Sequence, residues 1–161
     1  MIRPATAGDH AAILALWNPV IRDTTIIFGT EEKTHESLAA LIDERRAAGR
    51  EFLVAERDQH ILGFATYAQF RSGDGYAQAM EHTIIVAPDA AGRGIGRALM
   101  DRIEAHARAG GGHTLFAAVS GENGPGIAFH ERLGFDTVAR FPEAGRKFDR
   151  WLDLVLMMKF L

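Results

Sequence analysis

The chain has 161 residues, 47% of them hydrophobic and 24% charged, which suits one globular domain, residues 1–161, with a substantial core. A formal net charge of −3 leaves no case for a polyanion-binding surface, and so none for a nucleic-acid partner. The absence of cysteine excludes disulfides, thiolate metal sites and a cysteine nucleophile. No apolar run approaches the ~20 residues of a membrane helix, and Met1 to Asp9 carry no signal-peptide core. No membrane partner and a cytoplasmic location are therefore expected.

Thr6 to Asp9 offers helix-start residues, and Ile13, Leu16, Trp17 and Val20 follow at helical spacing. Thr34 opens a second helix with Leu38, Leu41 and Ile42 on one face, ended by Gly49. Phe52 to Glu56 and Ile61 to Phe70 are rich in β-formers and are joined by the polar turn Arg57–His60, a hairpin pattern. Arg71 to Gly75 reads as a loop and Glu81 to Val86 as a strand. Ile95, Leu99, Ile103 and Ala107 then form a helical stripe. His113 to Val119 is another strand, and a short helix covers about Pro125 to Leu133, with Gly134 at its end. Strands at Phe135 to Phe141 and Trp151 to Phe160 close the sheet. The order predicts a single α/β domain with a mixed sheet.

Between the Glu81–Val86 strand and the next helix lie a Pro-Asp turn and glycines at 92, 94 and 96. Glycines leave backbone N–H groups uncovered, and the helix directs its positive dipole end to the same place. That combination is an anion site, most often for phosphate or pyrophosphate. The P-loop pattern, with its Gly-Lys-Ser/Thr ending, is absent. The dinucleotide fingerprint fails because position 97 is Arg where a third glycine is required.

A third pattern fits. Ala91-Gly92-Arg93-Gly94-Ile95-Gly96 resembles the pyrophosphate loop Arg/Gln-x-x-Gly-x-Gly/Ala of the GCN5-related N-acetyltransferases, departing from it at Ala91. Downstream, Asn123, a short helix and His130-Glu-Arg-Leu-Gly134-Phe135 resemble the second signature of that family. The rest of the chain resembles its phosphinothricin and methionine-sulfoximine N-acetyltransferase branch. Ile2 to Ala5, Asn18, Thr25 to Phe28, Tyr76 with Glu81-His82, and Gly145 to Asp153 carry that likeness. Met80 and the Arg71-Ser-Gly segment, which lacks a second basic residue, depart from the branch near the acceptor pocket.

The resemblance implies an α/β fold whose mixed, mostly antiparallel sheet has a splayed central strand flanked by helices. It also implies acetyl-CoA as co-substrate, a small-molecule amine as acceptor, such as methionine sulfoximine, methionine sulfone or phosphinothricin, and a homodimer. Backbone groups of Thr83, Ile84, Ile85 and Val86 are then expected to pair with the thioester arm, residues 91–96 to hold the pyrophosphate, and Asn123 to hydrogen-bond the arm. Acetyl transfer to an amine needs a proton acceptor and a proton donor for the departing thiolate. Glu81, at the mouth of the central strand, is the candidate base, and His130 the candidate acid. Phe28, Arg71, Tyr76, His82, Lys147 and Trp151 are the candidates for the acceptor pocket, Arg71 as a carboxylate clamp. His82 and Glu81 are strand neighbours facing opposite sides, so His82 is expected to shape the pocket rather than share the base role. No metal is expected, because no two histidines show ligand spacing with a third ligand. Acetylation of a protein N-terminus or lysine, and a non-catalytic acyl-CoA sensor, remain as alternatives.

Overall fold

The computed structural model describes residues 1–161. Seven strands form one sheet in the order β1-β2-β3-β4-β5-β7-β6. They are β1 (Ile2–Pro4), β2 (Phe52–Arg57), β3 (His60–Gln69), β4 (Ala79–Val86), β5 (Thr114–Ser120), β6 (Asp136–Lys147) and β7 (Arg150–Phe160). Every pairing is antiparallel except β4 with β5. Helices α1 (His10–Asp23) and α2 (His35–Ala47) cover one face, and α3 (Ile95–Ala109) and α4 (Gly124–Arg132) the other. The expected mixed, mostly antiparallel sheet flanked by helices is thus the observed one.

Local chemistry explains the elements. The Thr6 amide donates to Asp9 Oδ2 at 2.7 Å, closing a 3-10 turn that feeds α1. Thr34 caps α2 reciprocally with Ser37, so two end donors are satisfied. The face of α1 that is buried is Ile13, Leu14, Trp17 and Ile21, while Leu16 and Val20 are only half-buried. The helix is rotated from the expected stripe so that Trp17 packs, tilted, against the rings of Phe52 and Phe64. This cluster fills the α1–α2 side. The larger cluster, with Leu99, Met100, Ile103, Leu115, Phe135 and Met157, fills the α3–α4 side.

Two strands differ from their expected bounds by more than one residue at an end. β4 begins at Ala79, and β6 runs past Phe141 to Lys147, absorbing a register shift between Phe141 and Gly145. The β6–β7 connection is the two-residue turn Phe148-Asp149, both with φ near +55° (52° and 57°), the left-handed geometry that suits the twist of a tight hairpin.

β4 and β5 pair only at Ala79–Glu81 with Thr114–Phe116. Beyond that point the two strands part, leaving Thr83–Val86 and Ala117–Ser120 without each other's hydrogen bonds. The seven-stranded sheet is therefore split at its only parallel joint, as a splayed central strand requires.

Candidate active site at the split in the sheet

A cavity of about 320 Å³ occupies the split. Its wall includes Glu81, His82, Thr83, Ile84 and Ile85 from β4, Ala117 to Val119 from β5, and Asn123 and His130 from α4. Trp17, Ile21, Ile26, Ile27, Gly29, Glu31 and Lys33 complete it from α1 and the segment before α2. Strand alternation places Ile84 and Val86 against the α3–α4 core and Ile85 against the α1–α2 core. Glu81 and His82 face opposite sides as expected, yet both line the cavity, because it passes through the sheet.

The segment before α2 has no regular structure of its own and is held by three tethers. Asn18 bonds the backbone of Lys33 twice, at 2.8 and 2.9 Å. The ammonium of Lys147, a buried residue, donates to the carbonyls of Ile21 (2.5 Å) and Ile27 (2.6 Å). The Phe28 ring lies on Gly145, where no Cβ would fit. Lys147 and Phe28, expected as substrate contacts, thus build the wall from behind. Trp151 is exposed under Arg146, and Arg71 is exposed over the Tyr76 ring at 5.5 Å. Arg71, Tyr76 and Trp151 all lie outside this cavity in the single chain. Trp17, Ile27 and Lys33 are lining residues that sequence reasoning missed. Only the nearness of Asn18 and of Thr25 to Phe28 in the sequence hinted at them.

Glu81 is half-buried, and burial alone pushes its carboxyl above the ordinary value. His82 and His130 form a buried pair, with Nε2 to Nε2 at 3.0 Å. His130 Nδ1 lies 2.7 Å from the Gly126 carbonyl, which only accepts, so this nitrogen carries the hydrogen. In the neutral ring Nε2 is then an acceptor, and His82 must donate from its own Nε2. The Nδ1 of His82 is left as a buried lone pair without a partner. Burial lowers both histidines, with the His130 charge adding to the effect on His82, which falls to about 3; the Gly126 carbonyl partly offsets it for His130. The acid role expected of His130 needs a proton on Nε2, the nitrogen to which His82 already donates.

This pair has a consequence for stability. The unfolded chain protonates both histidines below about pH 6.5, while the folded chain resists until lower pH, so stability is lost as pH falls from about 6.5 toward 3. The loss is up to about 1.4 kcal/mol per pH unit for each histidine. Melting temperatures across this range should fall more steeply for the wild type than for His82→Gln. Equal slopes would contradict a neutral buried pair.

Beside the cavity, the loop after β4 continues the site. A 3-10 turn at Pro88–Ala90 leads to Ala91, Gly92 (φ +75°), Arg93 and Gly94 (φ +79°), the last being the residue at which α3 starts. The first helical bond runs from Ala98 N–H to the Gly94 carbonyl, so the amides of Gly94, Ile95, Gly96 and Arg97 have no partner within the helix. Open space adjoins Gly92 and Gly94, while Gly96 is glycine because the Phe129 ring sits where a Cβ would be. A second hollow of about 190 Å³ is lined by Gly92, Gly94, Gly96, Arg97, Phe129, Arg132 and Leu133. Ala91 is exposed, and the loop keeps its shape through backbone bonds, Ala90 N–H to Ala87 O at 2.9 Å among them. Asn123 caps α4 with Oδ1 accepting from Gly126 N–H at 3.0 Å, which leaves its amide NH₂ free to donate.

A pyrophosphate fits the free amides, an extended arm fits the unpaired edges of β4 and β5, and a carboxylate stands where the two strands part. Fold and site together define an acyl-CoA-dependent N-acyltransferase. The acetyltransferase (GNAT) family model matches residues 17–135. The chain is 35% identical over 156 residues to an L-methionine sulfoximine/L-methionine sulfone acetyltransferase of Salmonella typhimurium, covering 97% of this chain and 91% of that one. It is similar in structure to a ribosomal-protein-alanine N-acetyltransferase from Brucella melitensis, with 35% identity, a TM-score of 0.96 and coverage of 100% and 99% of the two chains. It is also similar to an acetyltransferase from Salmonella typhimurium solved with its cofactor acetyl-CoA, with 34% identity, a TM-score of 0.95 and coverage of 100% and 93%. The chain belongs to the GNAT acetyltransferase family, and it is an acetyl-CoA-dependent N-acetyltransferase.

Proposed function

We propose that the acceptor is a small amine of the amino-acid-analogue type, such as methionine sulfone or methionine sulfoximine, and that Glu81 is the general base. The observation that carries this reading is the cavity of about 320 Å³ with the half-buried Glu81 in its wall, a size that suits a small molecule. The name of the Salmonella relative agrees with it. When bound, acetyl-CoA supplies an acetyl group activated as a thioester. Glu81 accepts a proton from the acceptor ammonium, so that the amine nitrogen has a lone pair for attack on the acyl carbon; its raised pKa makes it a better acceptor than an exposed glutamate. As the N–C bond forms the C–S bond would break, the nitrogen's remaining excess proton passing to solvent and the CoA thiolate leaving to be protonated there. The amides of residues 94–97 hold the pyrophosphate, and Asn123 Nδ2 donates to the arm.

The exposed Phe148 and Trp151 at the tip of the β6–β7 hairpin support a homodimer as the working form. The cysteine-free composition supports a cytoplasmic setting, and no helix is long and apolar enough to cross a membrane. A second reading, acetylation of a protein N-terminus, is favoured by the name of the Brucella structure. The test is CoA release with methionine sulfone, methionine sulfoximine, phosphinothricin, a polyamine and an alanine-started peptide. Highest kcat/KM with the amino-acid analogues is expected; highest kcat/KM with the peptide would put the second reading first.

A further inference from the structure

The acceptor wall holds a cation that the chemistry above does not use. In the segment before α2, alternate residues Gly29, Glu31 and Lys33 line the cavity, while Glu32 turns away to Arg22, with Nη1 to Oε1 at 3.2 Å. Lys33 is half-buried, and its ammonium rests 5.1 Å from the centre of the Trp17 ring, which lines the same cavity. No carboxylate stands within 4.0 Å of it. Its backbone is fixed by the two bonds from Asn18. The ammonium is thus a positioned cation on an aromatic face, in a wall that also carries the apolar Ile21 and Ile27, and it forms no ion pair within the chain.

The other cations do not compete for this place. Lys147 spends its donors on two carbonyls, Arg71 lies outside the cavity over Tyr76, and His82 and His130 are held neutral by burial. Lys33 is the one formally cationic side chain among those lining the cavity with Glu81.

We propose that Lys33 selects acceptors that carry a carboxylate, binding that carboxylate while the amine of the same molecule lies toward Glu81. This rests on the reading of the acceptor as a small amine and names the residue that sets its class. Lys33 and Glu81 are opposite charges on different walls, and Glu31, the other carboxylate of the lining, is exposed to solvent, so a zwitterionic amino acid is bound in one orientation between the two half-buried groups. A charge-assisted contact shielded from water strengthens as the ammonium gains its anion, and Trp17 keeps the side chain in place before substrate arrives.

The experiment compares wild type, Lys33→Met, Lys33→Arg and Arg71→Ala, using L-methionine sulfone and its decarboxylated amine, 3-(methylsulfonyl)propylamine. Lys33→Met is expected to raise KM for methionine sulfone by ~10-fold or more, with kcat/KM for the decarboxylated amine and KM for acetyl-CoA unchanged. Lys33→Arg is expected to restore most of the loss. Arg71→Ala is expected to change little. Equal losses on both acceptors, or a wild-type KM in Lys33→Met, would overturn the role of Lys33, as would a selective loss confined to Arg71→Ala. A wild type that acetylates neither acceptor but does acetylate an alanine-started peptide overturns the small-amine reading itself, and the two failures are thereby distinguished.

Discussion

Glu81→Gln is expected to lower kcat by a factor of ~10²–10⁴ while leaving the affinity for acetyl-CoA nearly unchanged. The amide keeps the size of the side chain and its place in the half-buried wall but cannot accept the ammonium proton. Because burial raises the pKa of this carboxyl, the acid limb of the wild-type pH–rate profile should stand above the ordinary glutamate value of 4.5. Activity is lost as pH falls through the raised value, since protonation removes the acceptor site. In the variant that limb should vanish. Near-normal turnover in steady-state assays would show that another group takes the proton.

Gly94→Val acts on the other end of the site. Gly94 has φ +79° at the residue that starts α3, a conformation that costs a β-branched residue on the order of 1–3 kcal/mol. Open space adjoins its Cα, so a valine would project there, beside the free amides of the first turn. Calorimetric titration should show acetyl-CoA binding weakened at least ~10-fold, about 1.4 kcal/mol. Thermal melting should show a folded protein of reduced stability. Full affinity in such a folded variant would remove the loop from the cofactor site.

Much of this molecule is legible in its sequence because its signals are local. The helix start at Thr34, the Leu99–Ile103 stripe and the glycine-rich turn into α3 are each marked within a few residues, and in the structure Thr34 caps α2, Leu99 and Ile103 are buried, and Gly92 and Gly94 have positive φ. Gly96 is instructive, since pattern alone cannot separate an amide left bare from a Cβ excluded by Phe129. The acceptor wall is not local. Residues 24–34 have no period, and their position is set by Lys147 and Gly145, more than a hundred residues away. A lysine within a motif reads as a substrate contact, yet the low-dielectric interior leaves it stable only with partners, and two carbonyls provide them. Strand alternation separated Glu81 from His82 correctly. It could not show that the cavity runs through the sheet, because that follows from the three-residue pairing of β4 with β5. The tautomers of His82 and His130 likewise needed the Gly126 carbonyl, which fixes one ring and through it the other.

The clasp made by Lys147 also bears on how the protein comes off the ribosome. It joins positions 126 residues apart, so the carbonyl of Ile21 waits through most of synthesis for its donor. The wall that faces the acceptor is synthesised early and secured late, and the core beneath α3 also waits for the C-terminal strand, since Val155 and Met157 of β7 belong to it. A domain generally folds as a unit, once the segments that complete it have emerged. A nascent chain lacking β6 and β7 carries the sequence of the acceptor wall without the Lys147 contact that shapes it, and β5 and α3 without their β7 neighbours. Both halves of the site, the acceptor wall and the core under the cofactor loop's helix, are therefore completed only when the last strands have emerged.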